Sequence, residues 1–215
     1  SPEGGGLSAD HISLLLNEDA TRESIIKTIG DKLNRAFEDD MVIIYIACHG
    51  MPDPVGNEVY FLGYDAKPEN LAGTAVSQID IEKALTRTRA KKKLWIADAC
   101  HSGGVGLGIR GNYAYLTNKL LSEIAASKEG LAMLTASSAS EFSKEGEHWG
   151  GGHGVFTHFL IRGLKGSADS SGDGIVSVRE LYEYVYRGVA EETGGQQHPE
   201  LKGTFDNNMP MSVIK

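Results

Sequence analysis

The sequence predicts a three-layer α/β fold, with a mostly parallel central sheet flanked by helices. Three observations carry this. Strand-like and helix-like runs alternate along the chain, the order that builds parallel sheets. Met41 to Ala47 is almost wholly apolar and β-branched, as in a strand covered on both faces. The 215 residues supply one substantial core, with no solenoid repeat and no internal boundary.

The elements follow in order. Residues 1–10 read as a flexible, glycine-rich start to a domain spanning 11–215. His11 to Leu16 reads as a short strand. Thr21 opens a helix to about Phe37, with Ile25, Ile29, Leu33 and Phe37 spaced by four on one face. After the Met41 strand, Pro, Gly and Asn punctuate residues 51–73, leaving room for a short hairpin at Val59 to Leu62. Ser77, with Asp80 three residues later, resembles a capped start to a helix ending near Arg89. Leu94 to Ala99 is the next strand, Tyr113 to Ser127 a helix, and Leu131 to Ala136 a further strand. Val155 to Gly163 and Val178 to Glu192 read as helices, and Met211 to Ile214 as a last strand.

Composition narrows the functional classes. The formal net charge of −8 argues against a nucleic-acid partner, since phosphate contacts need clustered Lys and Arg. The one basic cluster, Arg87 to Lys93, falls where a helix ends and favours its C-terminus instead. No run approaches the 18 apolar residues of a membrane span. The two cysteines sit at the ends of apolar strands, unlike a surface disulfide, so free thiols in a reducing, cytoplasmic setting are expected.

Those cysteines belong to a doubled pattern. MVIIYIACHG and KLWIADACHSGG each end an apolar run in a Cys-His pair. Side by side in a parallel sheet, the two ends deliver thiols and imidazoles to one edge, where open α/β folds place their chemistry. Cys and His can be a nucleophile with its base, or metal ligands. Zinc would need Cys48, His49, Cys100 and His101 to converge, whereas adjacent strand residues point to opposite faces. A dyad needs only His49 to take the proton of Cys100. The side-chain period of two puts Asp98 on the Cys100 side if the strand runs that far. Ser102-Gly103-Gly104 lets the backbone turn sharply beside a ligand. The amide of Gly50 could donate to an oxyanion, and Cys48 reads as a small packing hydrophobe.

These phrases, with YFLGYDA between them and LAMLTASS and GHGVFTHFLIRGLKG after, resemble the caspase-like cysteine peptidases, in particular the bacterial and metacaspase-type members. The resemblance runs from about His11 to the carboxyl end. It implies that His49 is the catalytic base and Cys100 the nucleophile, with the amides of Gly50 and Cys100 as oxyanion donors, and it removes the zinc reading. It also implies an endopeptidase acting through a thioester acyl-enzyme, with no required cofactor. Asp98 would sit in the pocket for the side chain beside the scissile bond. A buried carboxylate needs a partner, and a substrate Arg or Lys supplies one. Metacaspases use an aspartate here for basic specificity, so cleavage after Arg or Lys of a protein or peptide is expected. The alternatives are an Asp98 that merely caps its loop, an acidic preference, or a catalytically silent binding module. The segment with Ser138, Glu141 and Trp149 lines the substrate groove in relatives, and Ser138 and Trp149 are carried as substrate-binding residues. Gly146 to Gly154 reads as a loop ordered by a filled groove.

Two further expectations remain. Asp169 to Glu180 fits a calcium-loop register, with Asp169, Ser171, Asp173, Ser177 and Glu180 at oxygen-bearing positions and Gly174 at the sixth. A turn closed at Asp173-Gly174 is the competing reading, because the preceding helix ends too early. Relatives also begin with a core strand lying between those matching Ile12 to Leu16 and Met41 to Ala47. It is absent from this chain, and a separate N-terminal fragment is expected to supply it.

Overall fold

The computed structural model describes residues 7–53, 58–100, 129–138, 141–152 and 154–214. The helix expected at Tyr113 to Ser127 lies outside them. Among the described residues six strands form one sheet: β1 (Met41–Pro52), β2 (Val59–Leu62), β3 (Val76–Ser77), β4 (Lys92–Cys100), β5 (Leu131–Thr135) and β7 (Glu200–Gly203). The order is β3-β2-β1-β4-β5-β7. The centre is parallel, β1 with β4 and β4 with β5, whereas β2, β3 and β7 join antiparallel. The sheet is therefore mixed, with its parallel part where the apolar runs fall. The expected last strand, β8 (Pro210–Val213), pairs instead with β6 (Ile175–Ser177) in a separate ribbon.

Alternation along β4 builds the layers. Trp95 and Ala97 face a core shared with α1 (Arg22–Arg35) and α3 (Gln78–Arg87), where Phe61 meets Trp95 with ring centroids 5.7 Å apart. Leu94 and Ile96 face a second core, built with α4 (Val155–Arg162) and α5 (Val178–Glu192). A single helical turn, α2 (Leu71–Thr74), precedes β3. Caps set the helix starts. Thr21 accepts from Ser24 N–H, Ser77 from Asp80 N–H, and Ser177 with Glu180 forms a full capping box. No helix of the described residues is long and apolar enough to cross a membrane.

Three expectations need correction. Phe37 lies beyond the end of α1, 65% exposed, with the Arg89 guanidinium 4.7 Å from its ring centroid. The helix stops at Arg35 and Ala36 turns extended, so the four-residue spacing no longer maps onto a helical face. β1 is covered fully on one face only. Val42 and Ile44 are buried against α1 and α3, but Ile43 is 39% and Tyr45 44% exposed. Residues 12–16 are no strand. Helical turns at Ala9–His11 and Asn17–Asp19 flank them, and Ile12 (φ −106°, ψ 131°) and Leu16 (φ −127°, ψ 145°) have β dihedrals. The sequence encodes the extended backbone, but no ladder with another described strand forms to make it a strand.

Candidate active site

The chemistry-bearing residues gather where the parallel strands end. The backbone of β4 runs as a strand through Cys100. β1 and β4 pair in register from Met41 opposite Lys92 to His49 opposite Cys100. Register partners on neighbouring strands lie about 4.8 Å apart along the hydrogen-bonding direction. The sheet itself thus sets residues 51 apart in sequence side by side, without a long loop to hold them. β1 continues past His49, and Gly50 pairs opposite Phe61 of β2.

Cys48 differs from its neighbour. Its side chain packs against the core under α1 and α3, and its Sγ lies 3.5 Å from the His49 carbonyl oxygen. Burial pushes its thiol up to about 12, and the negative charge of Asp98 adds to the rise. At neutral pH it is a protonated thiol, the poor nucleophile of the two states.

Asp98 is 5% exposed. A buried carboxylate is tolerated only with hydrogen bonds or a cation. Thr157, in the first turn of α4, donates its hydroxyl to Asp98 Oδ2 at 2.6 Å. Tyr45, on β1, has its hydroxyl 2.7 Å from the same Thr157 oxygen. Gly154, the residue before α4, has no capping side chain, and a Cβ there would sit 3.1 Å from Asp98 Oδ2. The carboxylate therefore lies at the helix N-terminus.

Ser138, three residues past β5, lies at the neighbouring strand's end, and its N–H is 3.4 Å from Glu141 Oε2. Glu141 is tied across the same edge to His198, just before β7. Its Oε2 accepts the His198 backbone N–H at 2.6 Å, and its Oε1 lies 2.6 Å from His198 Nδ1. Burial opposes the charge on Glu141, but the bonds from His198 and Ser138 outweigh it and hold the carboxyl below its usual range. Trp149 is 8% exposed in the core under α4 and α5, with its indole N–H donating to Glu192 at 3.2 Å. Next to it, Gly150, Gly151 and Gly152 all have positive φ (66°, 88° and 113°). A Cβ at Gly151 or Gly152 would meet nothing within 4 Å, so backbone conformation alone demands glycine there.

The 169–180 loop belongs to the β6–β8 ribbon, not to the six-stranded sheet. Its carboxylates turn inward onto the backbone. Asp169 accepts from the N–H groups of Gly172 and Gly174, Asp173 from Ile175, and Glu180 from Ser171 and Ser177. Among the described residues no group of three or more His, Cys, Asp or Glu side chains is placed to hold a metal ion. In this arrangement the carboxylates close the turn on its own backbone. Hydrogen bonds from Ser177, backbone and hydroxyl, bring Glu180 down to about 2. Because the folded value is depressed, Glu180 stabilises the fold above its ordinary range near 4.5, and that contribution is lost as pH falls towards 2. Glu180→Gln should therefore lower the melting temperature at pH 7 and reduce its fall on acidification. Thermal melts from pH 7 to pH 3 check both.

Sequence reasoning did not reach Thr157, Tyr45, Gly154 or His198. Tyr45 carried a signal, as the one hydroxyl in an otherwise apolar run. No local pattern separates Thr157 from any other helical threonine.

A mixed sheet flanked by helices, with a histidine and a cysteine in register at the ends of two parallel strands, is the arrangement to be matched with known folds. The comparisons give this arrangement its family. The caspase-domain family model matches residues 9–209, and the chain belongs to the caspase-like cysteine peptidases. Among solved structures, protein GSU0716 from Geobacter sulfurreducens is similar in fold, with a TM-score of 0.61, 17% sequence identity and coverage of 94% of this chain and 83% of that one. A comparison with curated proteins finds no match.

Proposed function

We propose that the chain is a cysteine endopeptidase that cleaves proteins or peptides after Arg or Lys through a His49–Cys100 dyad. The observation that carries this reading is the register pairing of His49 with Cys100, with the buried Asp98 two residues before the cysteine. His49 accepts the Cys100 proton as the sulfur attacks the scissile carbonyl carbon. The amides of Gly50 and Cys100 stabilise the oxyanion of the tetrahedral intermediate. That intermediate collapses to a thioester as His49 passes its proton to the departing amine. Water, deprotonated by His49, then hydrolyses the thioester and returns the thiol. The Asp98 charge attracts a cationic side chain beside the scissile bond and repels an acidic one. Ser138 contributes to the groove, and the remaining substrate backbone adds along the sheet edge. The thiol chemistry suits a reducing, cytoplasmic setting.

No cofactor takes part in these steps, so cleavage should persist in a chelator. Chelation that stops cleavage, with calcium restoring it, would give the 169–180 loop or another site an ion. The direct experiment compares peptides that differ only in the residue before the scissile bond. Arg and Lys peptides should be cut, and Asp and Leu peptides spared.

A separate N-terminal fragment as strand partner fits the same reading. β2 pairs with β1 only from His49 onward, leaving the neighbouring slot without a described strand. Ile12, Leu14 and Leu16, at alternate positions of an extended segment, are 48%, 72% and 56% exposed. Exposed apolar alternation along an extended segment suits pairing with a further strand. Native and denaturing mass measurements on the active protein test this. A lone 23.1 kDa species, folded and active, would overturn it.

A further inference from the structure

We propose that Thr157 and Tyr45 are positioning residues that hold the Asp98 carboxylate for the substrate's cationic side chain. The inference rests on the reading of Asp98 as the specificity carboxylate. Its basis is a directed chain of hydrogen bonds. An ionised carboxylate only accepts, so the 2.6 Å contact at Asp98 Oδ2 uses the single proton of the Thr157 hydroxyl. The Tyr45 hydroxyl, 2.7 Å from the same oxygen, must then donate to Thr157. The sequence of donation is Tyr45 to Thr157 to Asp98, and each bond polarises the next.

The chain joins three elements. Tyr45 is on β1, Asp98 on β4 and Thr157 in the first turn of α4. Two register steps separate Tyr45 from Ala47, which lies opposite Asp98, so the phenol reaches along its own strand towards the carboxylate. Rotation of the carboxylate about its Cβ–Cγ bond is fixed by the threonine, and rotation of the threonine hydroxyl by the phenol. Gly154 brings the helix N-terminus close, because any Cβ there would crowd Oδ2 at 3.1 Å. A charge held in place loses little entropy when its partner arrives, and preorganisation of this kind is expressed in binding.

The test measures kcat and KM on an Arg peptide with the complete protein. The variants are Asp98→Ala, Thr157→Val, Thr157→Ser and Tyr45→Phe, with melting temperatures measured alongside. Thr157→Val should raise KM about tenfold, the scale of one hydrogen bond to a charged group, with kcat within about twofold. Thr157→Ser, which keeps the hydroxyl, should return KM to near the parent value. Tyr45→Phe should raise KM about threefold, because Thr157 keeps its own bond. A Thr157→Val variant with unchanged KM overturns the proposal even where Asp98→Ala has destroyed cleavage after Arg, and the reading of Asp98 then stands. A Thr157→Ser variant as weak as Thr157→Val also overturns it, by making methyl packing the cause. If Asp98→Ala cleaves the Arg peptide as well as the parent, the reading of Asp98 falls and the positioning proposal falls with it.

Discussion

Replacing Cys100 with alanine is expected to lower peptidase activity by about 10⁴-fold or more. The nucleophile opens the only covalent route, so its loss removes the acyl-enzyme rather than weakening one contact. His49→Ala should fall almost as far, since a thiol without a base presents little thiolate at neutral pH. The two losses should not add, because base and nucleophile act as one unit in one proton transfer. Cys48 cannot substitute. Its thiol, raised to about 12 by burial, stays protonated on the far side of the sheet from Asp98. Rates on an Arg peptide for the parent, each single variant and the double variant check all three statements. A Cys48→Ser variant should retain activity.

Asp98→Ala should cost about 10²–10³-fold in kcat/KM on Arg and Lys peptides. Removing one partner of a desolvated charge pair costs about 2–5 kcal/mol, largely because the other charge is left buried without compensation. The substrate guanidinium would enter a pocket whose nearest described support is a threonine hydroxyl and a helix N-terminus that itself repels cations. A neutral side chain should lose much less, so selectivity collapses while the fold persists. Equal losses on basic and neutral peptides would mean that Asp98 serves the structure instead. Its place at the start of α4 makes that a real competitor, and the ratio of rates separates the two.

Much of this was legible in the residues, for physical reasons that differ by element. β1 and β4 stood out because strands at the parallel centre of a sheet read as near-continuous apolar runs, even though one face of β1 is left partly exposed, and their Cys-His ends marked one sheet edge. Thr21 and Ser77 could be read because a cap is a local contract between a side chain and an amide three residues on. Ser177 and Glu180 show the limit of that logic, since the same two residues fit a calcium loop and a capping box. The structure gives both Glu180 oxygens to hydrogen bonds within the turn. β7 was not legible because Glu200–Gly203 has no apolar alternation, and its place is dictated by the free edge of β5. Nor was the Tyr45–Thr157–Asp98 chain, whose members lie as much as 112 residues apart and meet only once the sheet and α4 are packed. Residues 12–16 illustrate the reverse case, in which the local signal for an extended chain is present and the partner that makes a strand is not among the described residues.

In the proposed reaction one thiol does the chemistry, on substrates selected by a basic side chain. The most direct measurement is covalent labelling of the active protein by a thiol-reactive peptide probe with Arg beside its warhead, followed by peptide mapping. A single adduct on Cys100 is expected, absent in Cys100→Ala, strongly reduced in Asp98→Ala, and not reproduced by a probe carrying Asp in place of Arg. An adduct on Cys48, or equal labelling by the Arg and Asp probes, would contradict it.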